Sequence, residues 1–137
     1  MCGAFVFAAD LCRSLSVPGL QVDCVRASSY GDGTESSGLV KLSGLNSDVS
    51  GRHVLLVEDI VDTGLTIEKL KAHLFGLGAS SVVVVTLLNK AERRKNGMVP
   101  EYVGFECPDE FVVGYGLDYG GKYRELAYIG VMNAEHI

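Results

Sequence analysis

Apolar residues between positions 4 and 15 recur at helical spacing. Phe5, Phe7, Ala8, Leu11, Cys12 and Leu15 fall on one side, with Asp10 and Arg13 on the other. Pro18-Gly19 ends that helix. Residues 22–27 read as a strand. The eleven that follow, Ser28-Ser29-Tyr30-Gly31-Asp32-Gly33-Thr34-Glu35-Ser36-Ser37-Gly38, are small or polar almost throughout, which predicts a mobile loop. Leu39-Val40-Lys41-Leu42 is a short strand returning from it.

The central third carries the strongest pattern. Val54-Leu55-Leu56-Val57 is a continuous apolar run, the mark of a strand buried on both faces of a parallel sheet. A helix follows, with Leu65, Ile67, Leu70, Leu74 and Leu77 on one face, ending at Gly76-Leu77-Gly78. A second buried strand spans 82–88. Strand, helix and strand in that order predict a right-handed βαβ unit. Beyond it, 102–105, 111–115 and 128–132 read as shorter strands. The class is α/β, with residues 1–137 as one domain and no internal repeat.

Composition narrows the function more than the fold. The chain is 47% hydrophobic and 21% charged, an ordinary globular balance. A net charge of -5 argues against nucleic acid as a partner, because phosphate backbones require a basic face. The Arg93-Arg94-Lys95 trio reads as a solvated loop. No apolar run reaches the roughly 18 residues needed to span a bilayer, so no membrane is expected, and with no targeting segment the expected location is cytoplasmic. The four cysteines, Cys2, Cys12, Cys24 and Cys107, show no zinc-ligand spacing and read as buried thiols in a reducing compartment.

Candidate chemistry concentrates in Val57-Glu58-Asp59-Ile60-Val61-Asp62-Thr63-Gly64-Leu65-Thr66. Carboxylates close a buried strand, and hydroxyls with a glycine open a helix, which is where ligands bind in open α/β sheets. Thr63 and Thr66 offer donors, Gly64 lets the backbone approach, and the helix start adds free N–H groups, a set suited to phosphate. Glu58, Asp59 and Asp62 would repel that phosphate unless they face ribose hydroxyls, a divalent metal or a cationic transition state. Simple helix capping by Asp62 and Thr63 is the plain alternative; a phosphoryl-accepting aspartate is another.

This segment resembles the phosphoribosyl pyrophosphate (PRPP) motif of the type I phosphoribosyltransferases, the hypoxanthine-guanine branch in particular. Ser28-Ser29-Tyr30-Gly31 and the Gly-Thr-Glu-Ser-Ser-Gly after it resemble that branch's catalytic loop. Leu87-Leu88-Asn89-Lys90 resembles its purine-recognition strand, 103–106 and 111–119 its base-stacking segment, and Tyr123-Arg124-Glu125-Leu126 its final helix. The resemblance covers nearly the whole chain in the family's order.

It implies a mainly parallel sheet flanked by helices and the transfer of a 5-phosphoribosyl group from PRPP to hypoxanthine or guanine. Products are IMP or GMP and pyrophosphate, in purine salvage. It assigns Glu58 and Asp59 to the ribose hydroxyls, directly or through Mg2+, and Asp62 to purine N7 as general base. The stretch from Asp62 through Thr63, Gly64, Leu65 and Thr66 would cradle the 5-phosphate, with Ile60 and Val61 also lining the substrate. Lys90 would read the purine O6. Phe111 would stack on the base and the backbone of Val112 would bond its edge. Asp118 would bind a second Mg2+ carrying the pyrophosphate, which Arg124 would pair. Gly3 belongs to the pyrophosphate loop, and Ser29 and Tyr30 to a loop that closes over the site. Homo-dimers or homo-tetramers are implied. Taken by themselves, Lys90 could be a strand-end lysine reaching solvent, Phe111 a core residue, and Asp118 and Arg124 surface charges.

Met1-Cys2-Gly3-Ala4 matches only the end of the family's pyrophosphate loop, with Cys2 where lysine often stands. The expectation is therefore that the first core strand is missing from this chain, as in a fragment or short isoform, and that activity of these residues alone is impaired. A xanthine-accepting enzyme, a nucleotide-binding regulator of the same fold and an inactive partner subunit are the other readings.

Overall fold

The nine residues of β3 (His53–Val61) and the nine of β4 (Ser81–Asn89) pair in parallel, from His53 beside Ser81 to Val61 beside Asn89. In this computed structural model, which describes residues 3–29 and 40–133, they form a sheet of order β3-β4-β5, with β5 (Tyr102–Glu106) parallel to β4. α2 (Leu65–Gly76) is the crossover between β3 and β4, as the strand-helix-strand pattern predicts. α1 (Phe5–Ser14) precedes an antiparallel pair, β1 (Arg26–Ser29) with β2 (Val40–Ser43), and the chain closes with the pair β6 (Val112–Val113) and β7 (Gly130–Val131).

Periodicity explains the main core. Ile67, Leu70 and Leu74 of α2 lie on Leu56 of β3 and Val82 and Val84 of β4, with Val49 and Ala79 at the margins. Each such aliphatic side chain contributes about 1.5–3 kcal/mol when fully buried. A second cluster gathers Leu87, Leu88 and Leu117, with Phe7 of α1, Ile60 and Val112 packed against it. α1 is further tied down where Tyr115 Oη donates to Asp10, a contact 105 residues apart in sequence that also includes Arg13. The Tyr115 bond and then Arg13 hold the Asp10 carboxyl below its ordinary value.

β5 begins one residue late for the ladder of β4, and a side chain fills the gap. The Val84 N–H donates to Glu101 Oε2 at 2.7 Å, and Lys71 of α2 donates to Glu101 Oε1 at 2.9 Å. The hydrogen-bonding need of a buried strand amide is thus met by a carboxylate until Tyr102 takes up the pairing opposite Val85.

Several sequence expectations shift. The strand expected at 22–27 enters a ladder only from Arg26; upstream, Asp23 instead accepts the Ser47 N–H at 2.8 Å, and Val22 is 62% exposed. Ser28 and Ser29 belong to β1, whereas 30–38 lie outside the described residues. The β3 and β4 runs are not buried on both faces: Leu55 stays 37% exposed and Val83 and Val85 half-buried, because α2 covers one face and Phe7 of α1 reaches only the second cluster. The strands expected at 111–115 and 128–132 reduce to two residues each. Tyr123-Arg124-Glu125-Leu126 is a turn and not a helix, with Tyr123 at φ 74 and the Leu126 N–H on the Tyr123 carbonyl. Cys24 is exposed, contrary to the buried-thiol reading, while Cys12 and Cys107 are half-buried; all three are free.

Candidate active site

The in-register pairing of β3 and β4 decides where the chemistry sits. The Lys90 N–H continues the ladder by donating to the Val61 carbonyl at 2.9 Å, so Asp62 and Lys90 leave the sheet side by side. Three and four residues before Asp62, on β3, Asp59 and Glu58 are 6% and 5% exposed. No ion pair among the described residues includes either of them. Burial, and then the Asp59 charge beside it, pushes the Glu58 carboxyl up to about 7. Burial also raises Asp59, opposed by the Ile60 N–H that donates to it at 2.9 Å and by the Arg124 charge. Two buried, unpaired carboxylates are costly as structure alone and suit a bound cation or hydroxyls.

Gly3 lies against Asp59. A β-carbon at Gly3 would overlap the Asp59 carboxylate, and one at Gly116, where φ is 100°, would overlap the Gly3 carbonyl. Gly3→Ala is therefore expected to displace Asp59 and to lower stability by about 1–3 kcal/mol, the usual cost of overpacking, read as a fall in melting temperature. Gly116 connects onward, since Arg124 Nη1 donates to its carbonyl at 2.6 Å and Arg124 Nη2 meets Asp118 Oδ1 at 2.7 Å. Asp118 also accepts the Gly121 N–H at 2.7 Å. Gly3, Asp59, Asp118 and Arg124 thus form one side of the site. Among the described residues no three acidic, His or Cys side chains converge to hold a metal by themselves.

On the other side, Lys90 is 7% exposed and does not reach solvent. Its Nζ donates to the Glu110 carbonyl at 2.6 Å and stands 3.7 Å from Asp109. That brings it beside Phe111, which is 40% exposed and meets Tyr119 edge-on at 5.6 Å. The Met132 N–H bonds the Phe111 carbonyl, so 111 and 113 are the paired positions on β7 and the Val112 amide and carbonyl turn away from it.

At the start of α2, Gly64 is the N-cap in the left-handed region at φ 81, and the Glu68 N–H bonds its carbonyl. Thr63 is half-buried and Gly64 buried, Leu65 and Thr66 are exposed, and Val61 belongs to the core. Ile60 lies in the second cluster. Ser29 sits on β1, and Tyr30 lies outside the described residues.

The 91–96 segment is what the sequence reading missed. Past a 3-10 turn at Ala91–Arg93 it clamps this loop and is not solvated freely. Arg93 Nε lies 3.2 Å from Asp62 Oδ1, the Lys95 N–H donates to the Thr63 carbonyl at 3.0 Å, and Asn96 donates to Glu68 at 2.6 Å. Arg94 bonds Asn89 Oδ1 and presents Nη1, buried and without a hydrogen bond, beside Gly64. Charge-to-carboxylate spacing of 31 residues between Asp62 and Arg93 carries no local signal, so only the fold reveals it.

Residues 1–120 match the phosphoribosyl transferase domain family. A hypoxanthine phosphoribosyltransferase of Salmonella typhimurium is 48% identical over 129 residues, covering 93% of this chain and 72% of that protein. A hypoxanthine-guanine phosphoribosyltransferase of Mycobacterium bovis is 46% identical over 132 residues, 96% of this chain and 65% of its own length. Among solved structures, a hypoxanthine phosphoribosyltransferase from Staphylococcus aureus superposes with a TM-score of 0.91 at 42% identity, over 99% of this chain and 74% of the other.

Proposed function

The chain belongs to the phosphoribosyl transferase domain family, and we propose that it moves the 5-phosphoribosyl group of PRPP onto hypoxanthine or guanine, giving IMP or GMP and pyrophosphate in purine salvage. The observation that carries this reading is the adjacency of Asp62 and buried Lys90 at neighbouring strand ends, directly beyond the carboxylate pair. The relatives, named as transferases, favour the enzyme over a regulator of the same fold.

The purine lies against Phe111 with its O6 toward Lys90, its edge toward the Val112 backbone and N7 toward Asp62. Purine N9 forms a bond to C1 of the ribose as the C1–O bond breaks and pyrophosphate leaves with the electron pair. Positive charge builds on the sugar meanwhile, as in other displacements at a sugar centre. Glu58 and Asp59 offset that charge and hold the ribose hydroxyls. Asp62 takes the proton that the purine sheds. The Asp62–Thr66 loop and the first amides of α2 hold the 5-phosphate, while Gly3 and Arg124 face the leaving pyrophosphate.

A Mg2+ ion fits Glu58 and Asp59, because magnesium is typically held by one or two carboxylates together with substrate oxygens, and these two are buried with no ion pair among the described residues. Held there, or at Asp118 with pyrophosphate, it would supply positive charge to the oxygens of PRPP. We infer a protein of the cytoplasm acting as dimers or tetramers; no helix among the described residues is long and apolar enough to cross a membrane.

A coupled assay with PRPP, Mg2+ and hypoxanthine, guanine, xanthine or adenine in turn tests the function. Nucleotide formation with hypoxanthine or guanine supports it; formation with adenine alone sinks it. Lys90→Ala is expected to raise KM for hypoxanthine by about tenfold or more, the loss of a charged hydrogen bond, with KM for PRPP little changed. Equal losses for both substrates would mark Lys90 as structural.

A further inference from the structure

We propose that Arg93 is a positioning residue for purine capture, joining Asp62 and Lys90 into one alternating chain of charges. Arg93 Nε is 3.2 Å from Asp62 Oδ1, its Nη1 is 3.3 Å from Asp109 Oδ1, and the same Asp109 oxygen is 3.7 Å from Lys90 Nζ. The order is carboxylate, guanidinium, carboxylate, ammonium. Its two ends are the groups assigned to purine N7 and to purine O6, so the inference rests on the reading of the site given above.

The geometry favours a positioning role over a stabilising one. The Arg93 side chain is 49% exposed, Asp62 39% and Asp109 53%, and ion pairs at that exposure contribute little to folding. Asp62 Oδ1 is shielded from solvent yet accepts no hydrogen bond; Arg93 holds it by charge alone, leaving lone-pair capacity for an incoming proton. A planar guanidinium can touch two carboxylates with different nitrogens, which an ammonium cannot do with the same rigidity. Arg93 therefore aims the Asp62 carboxylate and, through Asp109, steadies the lysine. The purine meets two polar groups already spaced for it, which reduces the ordering cost of binding.

The test uses the full chain with saturating PRPP and Mg2+ and varied hypoxanthine. Arg93→Gln is expected to lower kcat/KM for hypoxanthine about 10–100-fold while KM for PRPP stays within about threefold and the melting temperature is almost unmoved. Arg93→Lys should recover part of the loss. In an Asp62→Asn background, Arg93→Gln should cost less than about threefold further, because residues acting through one another are not additive. Multiplying losses in the double variant, or a PRPP KM that rises as much as the hypoxanthine KM, overturns the role of Arg93 alone. An Asp62→Asn variant with unchanged turnover overturns the proton-acceptor assignment beneath it, and the Arg93 role with it.

Discussion

Replacing Asp62 by asparagine is expected to lower nucleotide formation by about 10²–10⁴ while leaving PRPP binding largely intact, the range typical for loss of a general base. Asparagine keeps the shape of the side chain and removes its charge and its capacity to take a proton. Asp62 is a good subject for this comparison because its surroundings test the alternative directly. As a mere helix cap it would bond the amides of the following turn. The structure instead makes Gly64 the N-cap of α2, with no side-chain cap bond, and sets Asp62 Oδ1 against Arg93 without a hydrogen bond. A capping residue would cost about 1 kcal/mol of stability on replacement and little turnover. Single-turnover rates with hypoxanthine, alongside melting curves of both proteins, separate the two outcomes, and an unchanged rate removes Asp62 from the chemistry.

Glu58 should impose a pH dependence on stability. Its carboxyl rises from an ordinary 4.5 to about 7 in the fold, through burial first and the neighbouring Asp59 charge second. The folded chain then retains a proton that the unfolded chain has released. The stabilisation is complete below the unfolded value of 4.5, is lost progressively as pH rises through about 7, and does not change further above it. A shift of this size corresponds to a swing of about 3 kcal/mol. Denaturant unfolding at a series of pH values, compared with Glu58→Gln, reads it. The difference between the two proteins should favour the natural chain less at pH 8 than at pH 5, and parallel curves would refute the buried-acid account.

Much of this site was legible before any coordinates. The β3–α2–β4 unit announces itself through long apolar runs and helical spacing; Ile67, Leu70 and Leu74 bury as expected, whereas Leu65 and Leu77 at the two ends of that face stay exposed. Glu58, Asp59, Asp62 and Lys90 stand at strand ends because strand ends are where such runs stop. The failures have a common cause. Val22 and Val25 look like strand residues but remain at the surface or half-buried, because Asp23 binds Ser47 and the ladder starts later. Tyr123-Arg124-Glu125-Leu126 has helix-compatible composition, yet Arg124 is drawn to Asp118 and the Gly116 carbonyl and the chain turns there. The Arg93-Arg94-Lys95 trio looks solvated until the fold places Asp62 beside it. In each case partners distant in sequence outweighed local pattern.

The contact of Tyr115 with Asp10 across 105 residues has a consequence for the order of assembly. The β3–α2–β4 unit can form from neighbouring segments, so its closure is fast. α1 is rich in apolar residues but docks through contacts distant in sequence, Phe7 on the Leu87–Leu88 cluster and Asp10 on Tyr115, closures slowed by the entropy of the long loops between them. During synthesis α1 leaves the ribosome well before Leu87, Leu88 and Tyr115, the residues it docks on. The carboxylates of β3 and the Asp62–Thr66 loop would be in place early, and Gly3, carried at the start of α1, would reach Asp59 last. Refolding followed by far-ultraviolet circular dichroism and by recovery of pyrophosphate affinity should therefore show two phases, with the second one slower.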